Sequence, residues 1–173
     1  KLVGMYRAQH AGKWYVYTQF EALDARKAFP CFDEPRFKTP WRMTLTVPSE
    51  LKAFSNAPLE KATKGDDGST SHVFKVTPPM PSYLVALTVG PLDVAADPKH
   101  DLVRADGTRV PIRILTAEGR AGDAQMALRE AGKILAFEEA YFDSRYPYAK
   151  LDLVAVPDFG AGAMENAGLV TYR

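Results

Sequence analysis

Hydrophobic positions in the first two thirds of the chain fall in short runs that are rich in β-branched and aromatic residues. Clusters of proline, glycine, aspartate and serine separate these runs, as is typical of strands joined by turns. The predicted strands cover residues 14–18, 43–47, 72–76, 83–89 and 110–115. We therefore expect a mainly β N-terminal region built from antiparallel sheets.

The hydrophobic period changes after residue 120. Apolar residues then recur at spacings of three and four, which predicts a helix over residues 123–142 with Asp123 as its N-cap. The predicted apolar face consists of Ala127, Leu128, Ala131, Ile134, Leu135, Tyr141 and Phe142. Strands at 151–156 and 169–172 follow. This change predicts a domain boundary near residue 112, with a β-rich unit at 1–112 and an α/β unit at 113–173.

Charge and composition exclude several classes of partner. The chain has 22 Lys and Arg against 21 Asp and Glu, without a run of five like charges, so we expect no nucleic-acid partner. The apolar runs are too short to span a membrane, and the chain does not begin like a signal peptide. Cys31 is the single cysteine, which fits a reducing compartment.

A cytoplasmic location is therefore favoured. Both ends are expected to be cuts, because Lys1 is not an initiator residue and Arg173 ends a strand-like run. A periplasmic or secreted location remains an alternative for that reason.

The first candidate site is the glycine-rich stretch Gly-Ala-Gly-Ala-Met-Glu-Asn at 160–166. Small residues let another backbone approach, and an extended conformation would offer N–H and C=O groups to a peptide added as a strand. Glu165 would stand next to that edge. On the residues alone, a glycine-rich turn with a solvated glutamate is the simpler interpretation.

The second candidate site lies at the end of the first predicted strand. Strand alternation would send Gln19 and Glu21 to one face, opposite Thr18 and Phe20. An amide oxygen and a carboxylate side by side could accept hydrogen bonds from an ammonium group, which has three donors and no acceptor. An ordinary polar strand face is the alternative.

Residues 24–35 form the third candidate, which we interpret as structural. Pro30 and Pro35 restrict the residues before them to extended conformations, so we expect a rigid loop with an internal Asp–Arg pair. Cys31 has no neighbouring histidine in the sequence and is expected to be packed rather than nucleophilic.

Catalytic motifs are missing from the chain. The three histidines, His10, His72 and His100, are never four residues apart, so a His-Glu-x-x-His zinc helix is excluded. The sequence also lacks a Gly-x-Ser-x-Gly elbow and a phosphate-binding loop. We therefore expect neither catalytic residues nor metal ligands within these 173 residues.

Four segments in this order resemble the aminopeptidase N family of zinc metallopeptidases, the gluzincin aminopeptidases. They are Thr-Gln-Phe-Glu at 18–21, Asp-Ala-Arg-Lys-Ala-Phe-Pro-Cys-Phe-Asp-Glu-Pro at 24–35, Tyr-Pro at 146–147 with Lys-Leu-Asp at 150–152, and Gly-Ala-Met-Glu-Asn at 162–166 leading into 168–173. The last segment matches the family's exopeptidase signature. The resemblance extends over most of the chain.

The resemblance implies a fold and a set of substrate-binding residues. The fold would be the later part of a β-rich N-terminal domain with saddle-like sheets, followed by the start of a thermolysin-like catalytic domain. Glu165 would bind the substrate's α-ammonium group, assisted by Gln19 and Glu21. The remaining implied residues are Gly162 and Ala163 for backbone contacts, Ala161 beside the pocket for the first side chain, and Met164 and Asn166 as structural members of the motif.

The resemblance also implies one zinc ion, with ligands downstream of Arg173, and peptides with a free N-terminus as substrates. The remainder of the same polypeptide would be a partner, and the 173 residues alone are expected to be inactive. Two alternatives remain open: a non-catalytic interaction module of the same fold, and a free-standing β-rich domain that binds peptide amines without hydrolysis.

Overall fold

The computed structural model describes residues 2–173, and the described residues form a mainly β structure with one α-helix. Short 3-10 turns cover Ala25–Lys27, Ser82–Leu84, Pro98–His100 and Ala121–Ala124. In chain order the other elements are β1 (Gly4–His10), β2 (Lys13–Gln19), β3 (Thr44–Pro48), β4 (Lys52–Ser55), β5 (Leu59–Lys64), β6 (Ser69–Phe74), β7 (Leu87–Gly90), β8 (Leu92–Ala96), β9 (Leu102–Val103), β10 (Arg109–Val110), β11 (Ile112–Ala117), α1 (Gln125–Tyr141), β12 (Leu151–Ala155), β13 (Ala163–Met164) and β14 (Leu169–Tyr172).

The N-terminal sheet is antiparallel, with strand order β1-β2-β7-β4. β1 and β2 form a hairpin in which His10 pairs with Lys13, and both loop residues, Ala11 and Gly12, have positive φ. Such two-residue loops match the twist of the flanking strands. Tyr15 and Tyr17 point inward from β2 and are almost completely buried. A separate three-stranded antiparallel sheet has the order β3-β6-β5.

A mixed five-stranded sheet, β13-β14-β12-β11-β8, occupies the C-terminal part. β11, β12 and β14 run parallel, and α1 is the crossover between β11 and β12. Alternation along β11 places Ile114 in a cluster with Leu128 of α1, and Leu115 in the cluster that contains Tyr15. The sheet therefore lies between the helix and the N-terminal sheet.

The predicted class, a mainly β unit followed by the α/β start of a second one, is confirmed. The boundary near residue 112 stays a prediction. β8 precedes that residue and pairs with β11, so one sheet draws strands from both sides of it. Within residues 2–173, no helix is both long and apolar enough to span a membrane.

The boundaries of several predicted elements are wrong, and two of them also differ in the type of local structure. Residues 83–89 were expected to form one strand, but Ser82–Leu84 is a 3-10 turn and β7 begins only at Leu87. Asp123 does not cap the helix: it lies inside the 3-10 turn that precedes α1 and pairs with Arg120. Hydrophobic spacing locates an element but does not fix where its hydrogen bonding begins.

The predicted apolar face of the helix is only partly buried. Leu128, Ala131 and Leu135 pack on the sheet as expected, and Gly132 joins them. Ala127, Ile134, Tyr141 and Phe142 are exposed, because α1 packs through one narrow stripe of its surface. The spacing identified the helix, whereas the sheet determined which apolar residues it buries.

Candidate functional site

The glycine-rich stretch lies at the edge of the mixed sheet. β13 pairs antiparallel with β14, with Ala163 opposite Tyr172 and Met164 opposite Thr171. Among the described residues β13 has no neighbouring strand on its other side. Met164 is buried in the cluster of tyrosines from β2, whereas Ala163 and Glu165 on either side of it are exposed. This alternation is that of an edge strand with one side on the core.

Residues that flank this edge strand form an open surface. Ala161 and Gly162 are exposed, and a Cβ atom at Gly160 or Gly162 would meet no atom within 4 Å. The Gly162 carbonyl oxygen accepts a hydrogen bond from the Arg173 backbone N–H at 3.1 Å. Ala161, Gly162 and Ala163 thus share one exposed edge with Glu165, and their contacts with a substrate stay a prediction.

A tight turn follows Glu165. The Leu169 backbone N–H donates to the Asn166 carbonyl oxygen at 3.1 Å, and Gly168 has a φ of 69°. A Cβ atom at Gly168 would also stand only 2.4 Å from the Asn56 carbonyl oxygen. The turn therefore requires glycine for its conformation and for the close packing of a second backbone. Asn166 is buried in this turn, and its amide lies 3.4 Å from the Thr171 hydroxyl.

A buried charge network supports the turn from beneath. Arg113 donates two 2.7 Å hydrogen bonds to the Asp152 carboxylate, which is fully buried. Lys150 lies 2.8 Å from the same carboxylate and donates to the Gly168 carbonyl oxygen at 2.6 Å. Burial lowers the pKa of the Lys150 ammonium to about 8, the Asp152 carboxylate opposes that shift, and the Arg113 guanidinium adds to it.

Gln19 and Glu21 lie where β2 ends. The strand stops at Gln19, and residues 21–24 form a turn in which Glu21 is exposed, so strand alternation does not set its direction as we expected. Gln19 is half-buried. Its Oε1 atom is shielded from solvent and accepts no hydrogen bond from any residue in the range 2–173. A buried acceptor without a donor is unusual in folded proteins.

Two buried clusters bring these segments together. Tyr17, two residues before Gln19, shares a cluster with Met164, the residue before Glu165. Phe20, between Gln19 and Glu21, shares another cluster with Ala167. The end of β2 and the turn after β13 are therefore neighbours in the fold, although 140 or more residues separate them in the sequence.

The loop at 24–35 is structural, as the sequence predicted. Arg26 donates to the Asp33 carboxylate through its backbone N–H at 3.0 Å and its side chain at 3.2 Å, and Ser82 adds a 2.5 Å hydrogen bond. Burial raises the pKa of Asp33, but these hydrogen bonds outweigh it and hold the pKa below its usual value. Cys31 packs against the aromatic cluster of Phe20, and burial raises its thiol pKa, so it is not activated as a nucleophile.

One residue of this region was missed by the sequence analysis. Asn56 follows β4, is 5% exposed, and uses its side-chain amide to join three backbone segments. Its Nδ2 donates to the carbonyl oxygens of Leu84 and Ala167, both at 2.8 Å, and its Oδ1 accepts from the Ala86 N–H at 2.8 Å. No spacing or motif could have marked it, because its partners lie about 30 and 111 residues away.

Metal ligands do not converge in the described part of the chain. Residues 2–173 hold no group of three His, Cys, Asp or Glu side chains that could bind an ion. The side chains of residues 2–173 therefore do not fit a zinc site, which needs three or four such ligands.

The site is thus an exposed acidic residue beside a sheet edge, packed against a neighbouring β unit. Comparison with known proteins identifies the family of the chain. The family model for the peptidase M1 N-terminal domain matches residues 1–84, and that for the peptidase family M1 domain matches residues 126–173. The chain belongs to peptidase family M1, as its resemblance to the aminopeptidases indicated.

Similar proteins are aminopeptidases from plants, animals and fungi. The chain is 45% identical to aminopeptidase M1-C of Oryza sativa subsp. japonica over 98% of its length, and 41% identical to the puromycin-sensitive aminopeptidase of Caenorhabditis elegans over all of it. It is 40% identical to the alanine/arginine aminopeptidase of Saccharomyces cerevisiae, also over its full length. These matches cover 19%, 18% and 20% of the relatives, so the chain spans about a fifth of their length.

Proposed function

We propose that this chain is the amine-binding part of a zinc-dependent aminopeptidase that removes N-terminal residues from peptides. The observation that carries the proposal is the meeting of two acceptor-rich segments, one ending in Gln19 and Glu21 and one holding Glu165. The names of the relatives support the same activity, since they are aminopeptidases.

Glu165 is the proposed anchor of the substrate's α-ammonium group. Among residues 2–173 its exposed carboxylate forms no ion pair or side-chain hydrogen bond, so it is available to a ligand. Gln19 would supply a further acceptor and Glu21 a second carboxylate. The Gln19 Oε1 atom has no donor among residues 2–173, and because it is shielded from solvent here, its side chain would have to turn outward to meet the ammonium group. Charge-assisted hydrogen bonds of this kind contribute about 1.5–3 kcal/mol each.

The edge strand would position the rest of the substrate. A peptide laid along β13 could pair with the backbone of Ala163 on the unpartnered side of the described sheet. The Gly162 carbonyl oxygen already accepts from Arg173, so Gly162 would contribute room for the substrate backbone rather than that hydrogen bond. Ala161 would stand beside the first substrate side chain, where a small residue leaves room. Substrates with a blocked amine would leave two carboxylates without a cation, so selectivity arises from that penalty as well as from the attraction.

Zinc belongs to the proposal although residues 2–173 do not hold it. The relatives are about five times longer than this chain, and we assign the zinc ligands and the general base to residues outside the described range. In such enzymes a bound zinc ion polarises the scissile carbonyl and activates water. The role of the present residues is to bind and orient the amine end.

The test is hydrolysis of aminoacyl-arylamides by the full-length polypeptide that carries these residues, with and without a zinc chelator. Glu165→Ala should lower kcat/KM about ten- to a hundred-fold, and N-acetylated substrates should not be cleaved. Glu50→Ala serves as the matched control, because Glu50 is also an exposed glutamate. A protein that is inactive but binds a partner protein would instead support the interaction module, and equal cleavage of acetylated substrates would contradict an amine site.

A further inference from the structure

Asn56 ties the turn after Glu165 to the β-rich part of the chain. The Ala167 carbonyl oxygen, two residues after Glu165, accepts a 2.8 Å hydrogen bond from the buried Asn56 amide. The hydrogen bonds to Leu84 and Ala86 fix the orientation of the Asn56 side-chain amide. If the amide were flipped, its NH2 group would face the Ala86 N–H, and two donors would meet. A carboxylate or an apolar side chain could not make the same set of bonds.

Each backbone carbonyl oxygen of the turn at residues 166–168 accepts a hydrogen bond. The Asn166 oxygen accepts from the Leu169 N–H at 3.1 Å, and the Gly168 oxygen accepts from the Asp152 N–H at 3.1 Å and from Lys150 at 2.6 Å. Asn56 supplies the one remaining partner, for Ala167. The backbone next to Glu165 is therefore fixed, whereas the Glu165 side chain itself is exposed.

The same amide also connects to the strand that carries Gln19. The Ala86 N–H donates to Asn56 Oδ1, and the next residue, Leu87, donates its N–H to the Thr18 hydroxyl at 3.1 Å. Thr18 directly precedes Gln19. Residues 84–87 are thus hydrogen-bonded both to Thr18 and to Asn56. These side-chain hydrogen bonds link the two arms of the proposed amine site, which are the end of β2 with Gln19 and Glu21 and the turn next to Glu165.

We propose that Asn56 is a positioning residue of the amine site: its bridge between residues 84–86 and Ala167 sets the separation of Glu165 from Gln19 and Glu21. The proposal rests on the proposed function. Asn56 itself touches neither substrate nor reacting atoms. Its contribution is to hold acceptors at the spacing that a single ammonium group requires, and misplacement by about 1 Å can cost up to a hundred-fold in rate.

The experiment compares Asn56→Ala with Ser55→Ala in the full-length polypeptide, using an alanyl-arylamide as substrate. Ser55 is the matched control because it is also buried and binds the 84–87 segment, through the Ala86 carbonyl oxygen at 2.9 Å, without a side-chain hydrogen bond to the turn after Glu165. We expect kcat/KM to fall about ten- to a hundred-fold in Asn56→Ala, mainly through KM, and less than two-fold in Ser55→Ala.

A double-mutant cycle separates positioning from a general loss of structure. If Asn56 acts through Glu165, then Asn56→Ala combined with Glu165→Ala should be no less active than Glu165→Ala alone. Asn56→Ser, which keeps a polar group in less volume, provides a second variant if Asn56→Ala does not fold. Activity is referred to the folded fraction, measured by near-UV circular dichroism.

Two outcomes overturn the proposal, and they differ. Additive losses in the cycle, or equal losses in the Asn56 and Ser55 variants, would contradict positioning and leave the proposed function intact. A wild-type polypeptide that neither cleaves the arylamide nor binds tri-alanine in preference to N-acetyl-tri-alanine would overturn the proposed function and this inference with it.

Discussion

The side-chain amide of Asn56 and the carbonyl oxygen of Ala167 are joined by a 2.8 Å hydrogen bond across 111 residues of sequence. The backbone carbonyl oxygen of Asn56 also packs against Gly168, where a side chain would not fit. The β-rich part of the chain and the turn after Glu165 thus meet closely at Asn56, which makes the geometry beside Glu165 dependent on both.

Gly168→Ala should strongly destabilise the chain. The substitution forces a positive φ on alanine and places its Cβ atom against the Asn56 carbonyl oxygen, so we expect the free energy of unfolding to fall by about 2–4 kcal/mol. Urea denaturation of the wild type and the variant measures this change in the free energy of unfolding. Gly107→Ala is the control, since Gly107 has a similar φ of 81° but open space around it, and should cost only about 1 kcal/mol. Equal losses would show that the packing is unimportant.

Gly132→Ala tests the contact between α1 and the 3-10 turn at Pro98–His100. Replacing glycine by alanine inside a helix normally gains about 1 kcal/mol, but here the Cβ atom would lie 2.3 Å from the His100 carbonyl oxygen. We expect a net loss of about 1 kcal/mol or more, seen as a lower Tm. The Ala136→Gly variant, at an exposed position of the same helix, measures the difference in helix propensity between alanine and glycine without the close contact. A raised Tm in Gly132→Ala would contradict the predicted clash.

Lys150 should make stability depend on pH. Its pKa is about 8 in the folded chain and near 10.5 when unfolded, so between these values the unfolded chain binds more protons. The contribution of Lys150 to the free energy of unfolding therefore rises with pH in this window, by at most about 1.4 kcal/mol per pH unit. Urea denaturation at pH 7.5 and 9.5 should show the wild type gaining stability relative to Lys150→Met.

The control for this pH dependence is Lys133→Met. Lys133 is exposed on α1, and its removal should leave the difference from wild type the same at both pH values. If the Lys150→Met difference is equally constant, the ammonium group is not held at a depressed pKa.

Asp33→Asn should loosen the loop that follows Glu21. The change removes the charge that accepts hydrogen bonds from Arg26 and Ser82, and we expect a loss of about 2 kcal/mol at pH 7. Because the folded pKa of Asp33 lies below its usual 3.8, its stabilisation is present above that pH and disappears as the pH falls through the folded pKa. Chemical denaturation should therefore show a smaller difference in the free energy of unfolding between wild type and Asp33→Asn at pH 3 than at pH 7.

Glu34→Gln is the neighbouring control for Asp33→Asn. Glu34 is exposed and, among residues 2–173, its side chain pairs only with Arg36 on the surface, so its loss should change stability by less than about 0.5 kcal/mol. A gap between wild type and Asp33→Asn that stays the same at pH 3 would mean that the carboxylate's charge is not what stabilises the loop.

The local character of most elements could be predicted from the sequence. The alternation along β2 and the three-and-four spacing of α1 are properties of neighbouring residues, and both elements form where these patterns occur. The edge strand β13 was missed, because a two-residue strand carries no period and exists only through its pairing with β14.

The sequence by itself determined the residue types of the candidate site and the absence of a His-Glu-x-x-His helix. Only the tertiary structure decided that the end of β2 lies near the turn after β13, that the Gln19 oxygen is buried without a donor among residues 2–173, and that Asn56 joins residues 84–86 to Ala167. The physical reason is that these contacts join residues up to 140 or more positions apart, and no pattern of neighbouring residues encodes which distant backbone group a buried amide will meet.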